Sequence, residues 1–456
     1  MAERRTAREV VALVADDFAA LPAPAAEAPG GSPRSDGPIG WAGYDAARAR
    51  AAEKTGEEES VLYGRATVDG RPVVLVAFEF GFLGGSLGQA AGDRLVAAYR
   101  AAVADRVPLV SLVATGGSRM QEGMIALTQL QRVAEATVRL RSAGVPHVTV
   151  LRDPSTGGGW ATVGAGADVV LALPSAQVAF AGSRVRPRDA DPSAYTAEGQ
   201  YAHGHVDALV EPADLRTTLG LWLRLLTGAG EQPPVPAPPP HALTEAAPPG
   251  TGWEAVVRAR SAARPRAGAY LDAYFDVRAA VRGDRAGGVD DGVECGFGLR
   301  AGRPVAYAAQ GGTATRPAGF RTAARLIRLA DRLGIPVLTL IDTPGAANDA
   351  EAERAGAGPA IAEAFAAVAD ARVPVTSLLV GEGGSGGALA LAARDNTWVV
   401  PDGYFSVIAP ELASAILKRS PDQAPVTADQ LRLRPQDLVD LGIVRGIVGQ
   451  TEAPSE

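Results

Sequence analysis

The chain has 456 residues, 47% of them hydrophobic and 21% charged, with a net charge of −7. That length exceeds one ordinary domain, the acidic balance argues against a nucleic-acid binder, and no apolar run is long enough to span a bilayer. Cys295 is the single cysteine, which excludes an intrachain disulfide and a multi-cysteine zinc site.

The first residues lack an apolar signal core, so a cytoplasmic protein is expected. Val10, Val11, Val14 and Phe18 recur at helical spacing and predict an amphipathic helix over residues 1–20. Residues 21–38 are rich in Pro, Ala, Gly and Ser and read as a connector, so 1–38 forms an N-terminal helix and connector. A globular segment, 39–227, follows. Val73–Phe78 is a fully apolar run, as expected of a strand covered on both faces. Residues 90–104 predict a helix, 108–114 a second buried strand, and 118–143 a long helix. In that helix Met120, Met124, Leu127, Leu130, Ala134 and Val138 repeat at three and four, which predicts a core-facing stripe. Residues 148–151 predict another strand.

The segment 228–252 holds a dense run of prolines and reads as an extended, semi-rigid linker. After it, 253–450 repeats the rhythm of strand, glycine turn and helix. Strands are expected at 305–309, 337–341 and 375–380, with helices at 319–333, 359–371 and 385–393. The expected class is α/β with parallel sheets, built twice.

The duplication is explicit in the glycines. Thr115-Gly116-Gly117-Ser118-Arg119 and Asp153-Pro-Ser-Thr-Gly157-Gly158-Gly159 in the first half match Thr343-Pro-Gly345 and Gly381-Glu-Gly-Gly-Ser385-Gly386-Gly387-Ala388 in the second. Thr115 to Thr343 is 343 − 115 = 228 positions, and Gly158 to Gly387 is 387 − 158 = 229. A repeat this long reads as two homologous domains rather than a solenoid. Each presents main-chain N–H groups where a strand turns into a helix, and such groups bind anionic oxygen. Turn glycines needed only for tight packing are the plain alternative at any single position.

Other chemistries fit less well. Gly383-Gly-Ser385-Gly-Gly387 satisfies the nucleophile-elbow pattern, but none of the four histidines follows Ser385 as that fold requires. Asp342-Thr-Pro-Gly345 resembles a GTPase switch, but neither lysine belongs to a phosphate-binding loop. His203 and His205 alone do not make a metal site, and no metal is expected. What remains is a site of hydrogen-bond donors without a protein nucleophile, which suits chemistry through an enolate. Arg119 and Glu122 stand where an ion pair could shape the first site, and Glu382 where it could orient the second loop.

The longer motifs carry a resemblance. The first half contains Glu53–Glu59, Phe78–Ser86, Thr115–Glu122, Asp153–Gly158 and Phe180–Val185; the second contains Gly283–Arg285, Ile341–Ala346, Gly381–Ala388 and Tyr404–Glu411. Together they resemble the carboxyltransferase component of acetyl-CoA carboxylase, with bacterial β-like and α-like subunits fused in that order. The resemblance implies two crotonase-like (ClpP/crotonase) domains. It implies transfer of a carboxyl group from carboxybiotin to the α-carbon of an acyl-CoA, with an active site between a first domain and the second domain of a partner chain. The residues matching the family's catalytic oxyanion holes are Gly157 and Gly158 for the CoA thioester, and Gly387 and Ala388 for the biotin ureido carbonyl. Gly116, Gly117, Arg119, Arg184 and Gly386 match the substrate-binding surroundings. Implied partners are a biotin carboxyl carrier protein, a biotin carboxylase and a second copy of the chain, as a homodimer or larger. The chain has no Met-Lys-Met biotinylation site, so biotin is expected on the carrier. It departs from the family in lacking the four-cysteine zinc ribbon and a lysine-containing segment after residue 309. A biotin-independent malonyl-thioester decarboxylase and a non-catalytic CoA-binding scaffold are the alternatives.

Overall fold

The computed structural model describes residues 5–24, 35–227 and 233–449. The chain divides into two compact units, Met1–Thr227 and Gly228–Glu456. Parts of the 21–38 connector and of the 228–252 segment lie outside the described residues.

The first unit is one sheet. Its strands are β1 (Asp17–Ala20), β2 (Val61–Val68), β3 (Arg71–Phe78), β4 (Leu109–Thr115), β5 (His147–Thr156), β6 (Val169–Ala172), β7 (Val178–Ala179) and β8 (Ala208–Leu209). They lie in the order β1-β2-β3-β4-β5-β6-β8, with β7 added to the end of β5. β1, β2 and β3 pair antiparallel. From β3 to β8 the pairing is parallel, because helices such as Gln89–Asp105 and Gly123–Ser142 return the chain to the same edge. Val74, Val76, Leu109, Val113, Leu151 and Val170 are fully buried, as expected of apolar strands sandwiched between layers.

The second unit repeats this plan. Its strands are β9 (Val277–Val281), β10 (Val293–Arg300), β11 (Arg303–Gln310), β12 (Val337–Thr343), β13 (Val375–Gly384), β14 (Thr397–Val399), β15 (Tyr404–Ser406) and β16 (Gly446–Ile447). The order β9-β10-β11-β12-β13-β14-β16, with β15 on the end of β13, matches the first sheet strand for strand.

Three expectations change. The N-terminal helix covers Ala7–Val14 only; Thr6 and Glu9 form a capping box, and the chain then extends into β1. Val10, Val11 and Val14 are buried, but Phe18 lies on the strand. The long helix runs Gly123–Ser142, and its stripe is out of phase with the expectation. Met120, Met124, Leu127 and Val138 are exposed, by 75%, 68%, 45% and 61%, whereas Ala126, Val133, Ala136 and Leu140 face inward. Small residues let this helix pack closely on Gln89–Asp105, so the bulkier apolar residues stay outside. Finally, residues 233–251 are laid on the second unit. Ala237 is buried, its carbonyl accepts from Thr376 Oγ1 at 2.7 Å, and the Pro238 carbonyl accepts from Tyr274 OH at 2.8 Å.

One buried titratable group marks the first core. His147 is 1% exposed and lies 2.9 Å from Ser111 Oγ. Burial, partly opposed by Asp168, pushes its pKa down from 6.5 to about 4. The unfolded chain therefore binds a proton that the folded chain does not between those values, and stability falls as pH drops from about 6.5 towards 4. The loss should approach about 3 kcal/mol at the low end. Urea unfolding at pH 7 and pH 5 measures it, and His147→Leu should flatten the difference; an equally steep decline in that variant contradicts the assignment.

Candidate active site

In the first unit β4 ends at Thr115, and its loop meets the corner where β5 turns into a short helix, Gly157–Gly159. Gly117 has φ +107 and Gly157 φ +63, both unfavourable for a side chain. A Cβ at Gly157 would stand 2.9 Å from Gly117 Cα, so the two loops touch main chain to main chain. The Gly116 amide donates to Gly84 O at 2.8 Å, the Gly117 amide to Thr115 Oγ1 at 3.1 Å, and the Gly157 amide to Phe180 O at 3.1 Å. Those three groups are spent on the fold. The Gly158 amide, in the first turn of its helix, has no carbonyl one turn back to receive it. Gly116, Gly117 and Gly157 therefore shape the corner, and Gly158 is its available donor.

The second unit reproduces the same bonds. The Gly345 amide donates to Thr343 Oγ1 at 3.1 Å, as Gly117 does to Thr115. Leu87 N donates to Gly117 O and Arg119 N to Leu87 O; Thr315 N donates to Gly345 O and Ala347 N to Thr315 O. Thr115 pairs with Ser155, and Thr343 with Gly383. All of these are related by 228 positions. The counterpart of Gly158 is therefore Gly386, and Gly387 corresponds to Gly159, one residue off the alignment read from the glycines. Their surroundings differ from those of the first corner, where Gly158 is buried and a Cβ on it would stand 2.5 Å from Leu130 Cδ2. A Cβ at Gly386 would meet nothing within 4 Å, whereas one at Gly387 would stand 2.3 Å from Ala346 N. Gly386 faces open space; Gly387 and Ala388 are buried.

Ser385 takes the place of Gly157 at the sharp turn, with φ +54. Strand, strained serine and helix reproduce the shape of a nucleophile elbow, but the base is missing. His241, the only histidine of the second unit, sits among Thr244, Glu245, Pro401 and Val448. Cys295 is buried, and burial pushes its thiol up to about 12. Neither can serve as the nucleophile system.

Charged residues brace the loops. Asp342 is fully buried, with Arg264 Nη2 at 2.5 Å, Arg266 Nη1 at 3.3 Å and the Glu382 amide at 3.2 Å from its carboxylate. Glu382 accepts from Tyr404 OH at 2.6 Å and from Arg260 Nε at 3.0 Å, which holds β13 against β15. Arg119 is placed differently from the substrate-binding role given by its motif. It is 1% exposed, and its guanidinium reaches Glu59 Oε2 at 2.9 Å, Glu122 Oε1 at 3.3 Å, Tyr44 OH at 3.1 Å and Ser86 O at 2.7 Å. With its donors spent, it supports the Gly117 loop from behind. Burial alone would raise the Glu59 carboxyl, but Arg119 brings it below the ordinary value. Arg184 is exposed on the segment after β7. His203 is also exposed, and among the described residues no three ligating side chains cluster as a metal site.

Two matching α/β units, each with a mostly parallel sheet and a glycine corner where a strand turns into a helix, make up a carboxyltransferase-type fold. Residues 249–454 match the family described as acetyl co-enzyme A carboxylase carboxyltransferase-like, and residues 40–227 match the carboxyl transferase domain. The acetyl-coenzyme A carboxylase carboxyl transferase subunits beta/alpha of Saccharopolyspora erythraea are 38% identical over 428 residues, covering 89% of this chain and 74% of that protein. The probable biotin-dependent acyl-coenzyme A carboxylase beta3 subunit of Mycobacterium bovis is 36% identical, covering 88% of this chain and 82% of that one. Transcarboxylase 12S, solved as a hexamer with methylmalonyl-coenzyme A and methylmalonic acid bound, superposes with a TM-score of 0.79 at 20% identity, over 98% of this chain and 86% of that one. The chain belongs to the biotin-dependent acyl-CoA carboxylase carboxyltransferase family, and it is an enzyme of that class, with biotin as cofactor and a CoA thioester as substrate.

Proposed function

We propose that the chain carboxylates acetyl-CoA or a similar short acyl-CoA, with the thioester oxygen received at the Gly158 corner and the donor's ureido oxygen at the Gly386–Ala388 corner. The observation that carries this is the repeated bond set, Thr115 to Gly117 and Thr343 to Gly345, beneath two corners with available amides. The residues fit a biotin ring at the second corner: Gly386 is open, and Leu389 in the same helix and Val407, next to the Ser406 that pairs with Gly384, are exposed, by 46% and 71%. When bound there, biotin supplies the carboxyl group and a nitrogen that accepts the α-proton. The Gly158 amide stabilises the negative charge that develops on the thioester oxygen as the α-proton leaves. Thr115 and Thr343 fix the loops, so the donors need no reorganisation during the reaction. The product would be malonyl-CoA or its homologue, the extender unit for fatty-acid synthesis.

Biotin arrives on a carrier protein charged by a separate biotin carboxylase. The exposed Met120, Met124 and Leu127 support a homodimer or larger assembly, because a contiguous apolar face on a monomer is uncommon. A cytoplasmic location is consistent with the absence, among the described residues, of a helix long and apolar enough to cross a membrane.

The reverse reaction gives a direct test. Purified chain, malonyl-CoA and a biotinylated carrier domain should yield acetyl-CoA, with turnover dependent on biotin. Turnover without biotin would identify a decarboxylase instead, and CoA binding without turnover would identify a scaffold.

A further inference from the structure

We infer that Gln310 is the positioning residue of the second corner: it holds the Gly387 carbonyl, and through it the first helix turn, in the orientation that presents the open Gly386 amide to the donor oxygen. This rests on the function proposed above. Gln310 ends β11 and is fully buried. Its Nε2 lies 3.1 Å from Gly387 O and 3.1 Å from Thr315 Oγ1. A carbonyl only accepts, so the nitrogen must face Gly387. The Gln310 Oε1 is then turned away, buried and without a partner. Thr315 Oγ1 lies 3.4 Å from Thr343 Oγ1, which receives the Gly345 amide. One side chain thus ties the loop after β11, and through Thr315 the end of β12, to the helix after β13. Gly387 follows Gly386 in the same first helix turn, so holding its carbonyl restricts the rotation of that turn and of the Gly386 amide with it.

The first unit shows that the fold does not require a glutamine there. Gln310 pairs with Val293 across β10 and β11, and Phe78 pairs with Val61 across β2 and β3, so Phe78 holds the same position. Phe78 is fully buried within an apolar cluster. In that unit the strand ends are tied instead by Thr156 Oγ1, which donates to Thr115 O at 3.1 Å, with no side chain from β3 involved in that bond. The second unit buries an amide with an unmatched oxygen where hydrocarbon would serve. An unpaired buried acceptor weakens a fold. A polar residue kept at that disadvantage, bonded to the corner's own main chain, serves the site rather than the core.

Gln310→Met keeps the volume and removes the donor. With the full chain, a biotinylated carrier domain and malonyl-CoA, kcat should fall at least about tenfold, while the KM for malonyl-CoA stays within about twofold. The thermal midpoint should equal or exceed that of the wild type. Gln310→Glu adds a pH signature. Burial raises its carboxyl, and only the protonated form can donate to Gly387 O. Its activity relative to wild type should therefore rise as pH falls. A Gln310→Met enzyme with kcat within about twofold of wild type, a defect confined to the KM for malonyl-CoA, or a Gln310→Glu profile parallel to wild type would each overturn the inference. A wild-type chain inactive in the same assay would overturn the proposed function itself, and the inference with it.

Discussion

Gly386→Val should remove biotin-dependent turnover while leaving the protein folded. The position has no neighbour within 4 Å of a Cβ and no positive φ, so the backbone accepts the side chain. The valine would then stand over the amides proposed to receive the donor oxygen. Losing one such donor costs about 10²–10³ in kcat, and covering the corner should reach at least the upper end. The thermal midpoint should change little, since a β-branched residue in the first turn of a helix costs only a few tenths of a kcal/mol. Gly387→Val is the informative contrast. Its Cβ would press on Ala346 N at 2.3 Å and Gly345 C at 2.8 Å, both main chain. The Thr343–Ala347 loop would have to move, at a cost of about 1–3 kcal/mol or more. Activity and stability should therefore separate at residue 386 and fall together at residue 387. Steady-state kinetics with thermal unfolding on both variants checks this. A Gly386→Val enzyme retaining most of its turnover would sink the role assigned to the second corner.

The contrast also shows where sequence reasoning stopped. The 228-residue repeat is legible because strand ends and turn glycines recur in order, and both sheets follow from it. The phase within a run of glycines is not legible. Gly386 and Gly387 look alike in the sequence, and only the register of Thr343 against Gly383 separates the exposed one from the packed one. The Gly123–Ser142 helix failed for a related reason. Two stripes fit its period, and bulk points to the wrong one: the small residues Ala126 and Ala136 face inward. Gln310 gave no signal at all, because its partner, Gly387 O, is main chain 77 residues away. The spacing of Arg119 and Glu122 predicts a pair, which the structure contains at 3.3 Å. The third member, Glu59, lies 60 residues upstream and was visible only as part of a motif.

Arg119→Met should be among the most destabilising single changes in the first unit. The guanidinium is fully buried between Glu59 and Glu122, each at most 5% exposed. Burial disfavours its charge, but Glu59 more than compensates, and its pKa lies above the ordinary arginine value. Removing it leaves two carboxylates buried without their counter-ion. Breaking a buried pair from one side costs about 3–5 kcal/mol, chiefly the desolvation of the abandoned charge. Glu59→Gln in the same chain should recover part of that, with a coupling of roughly 1–3 kcal/mol in a double-mutant cycle followed by urea unfolding. The variant should also lose activity below its unfolding temperature. Glu122 Oε2 receives the Gln89 amide at 2.5 Å, and Arg119 N donates to Leu87 O at 2.9 Å, beside the bond from Leu87 N to Gly117 O. Slackening that chain moves Gly117, and Gly117 is the surface on which Gly157 and Gly158 rest. A variant that unfolds like wild type would show that the three charges compensate one another far less than their distances require.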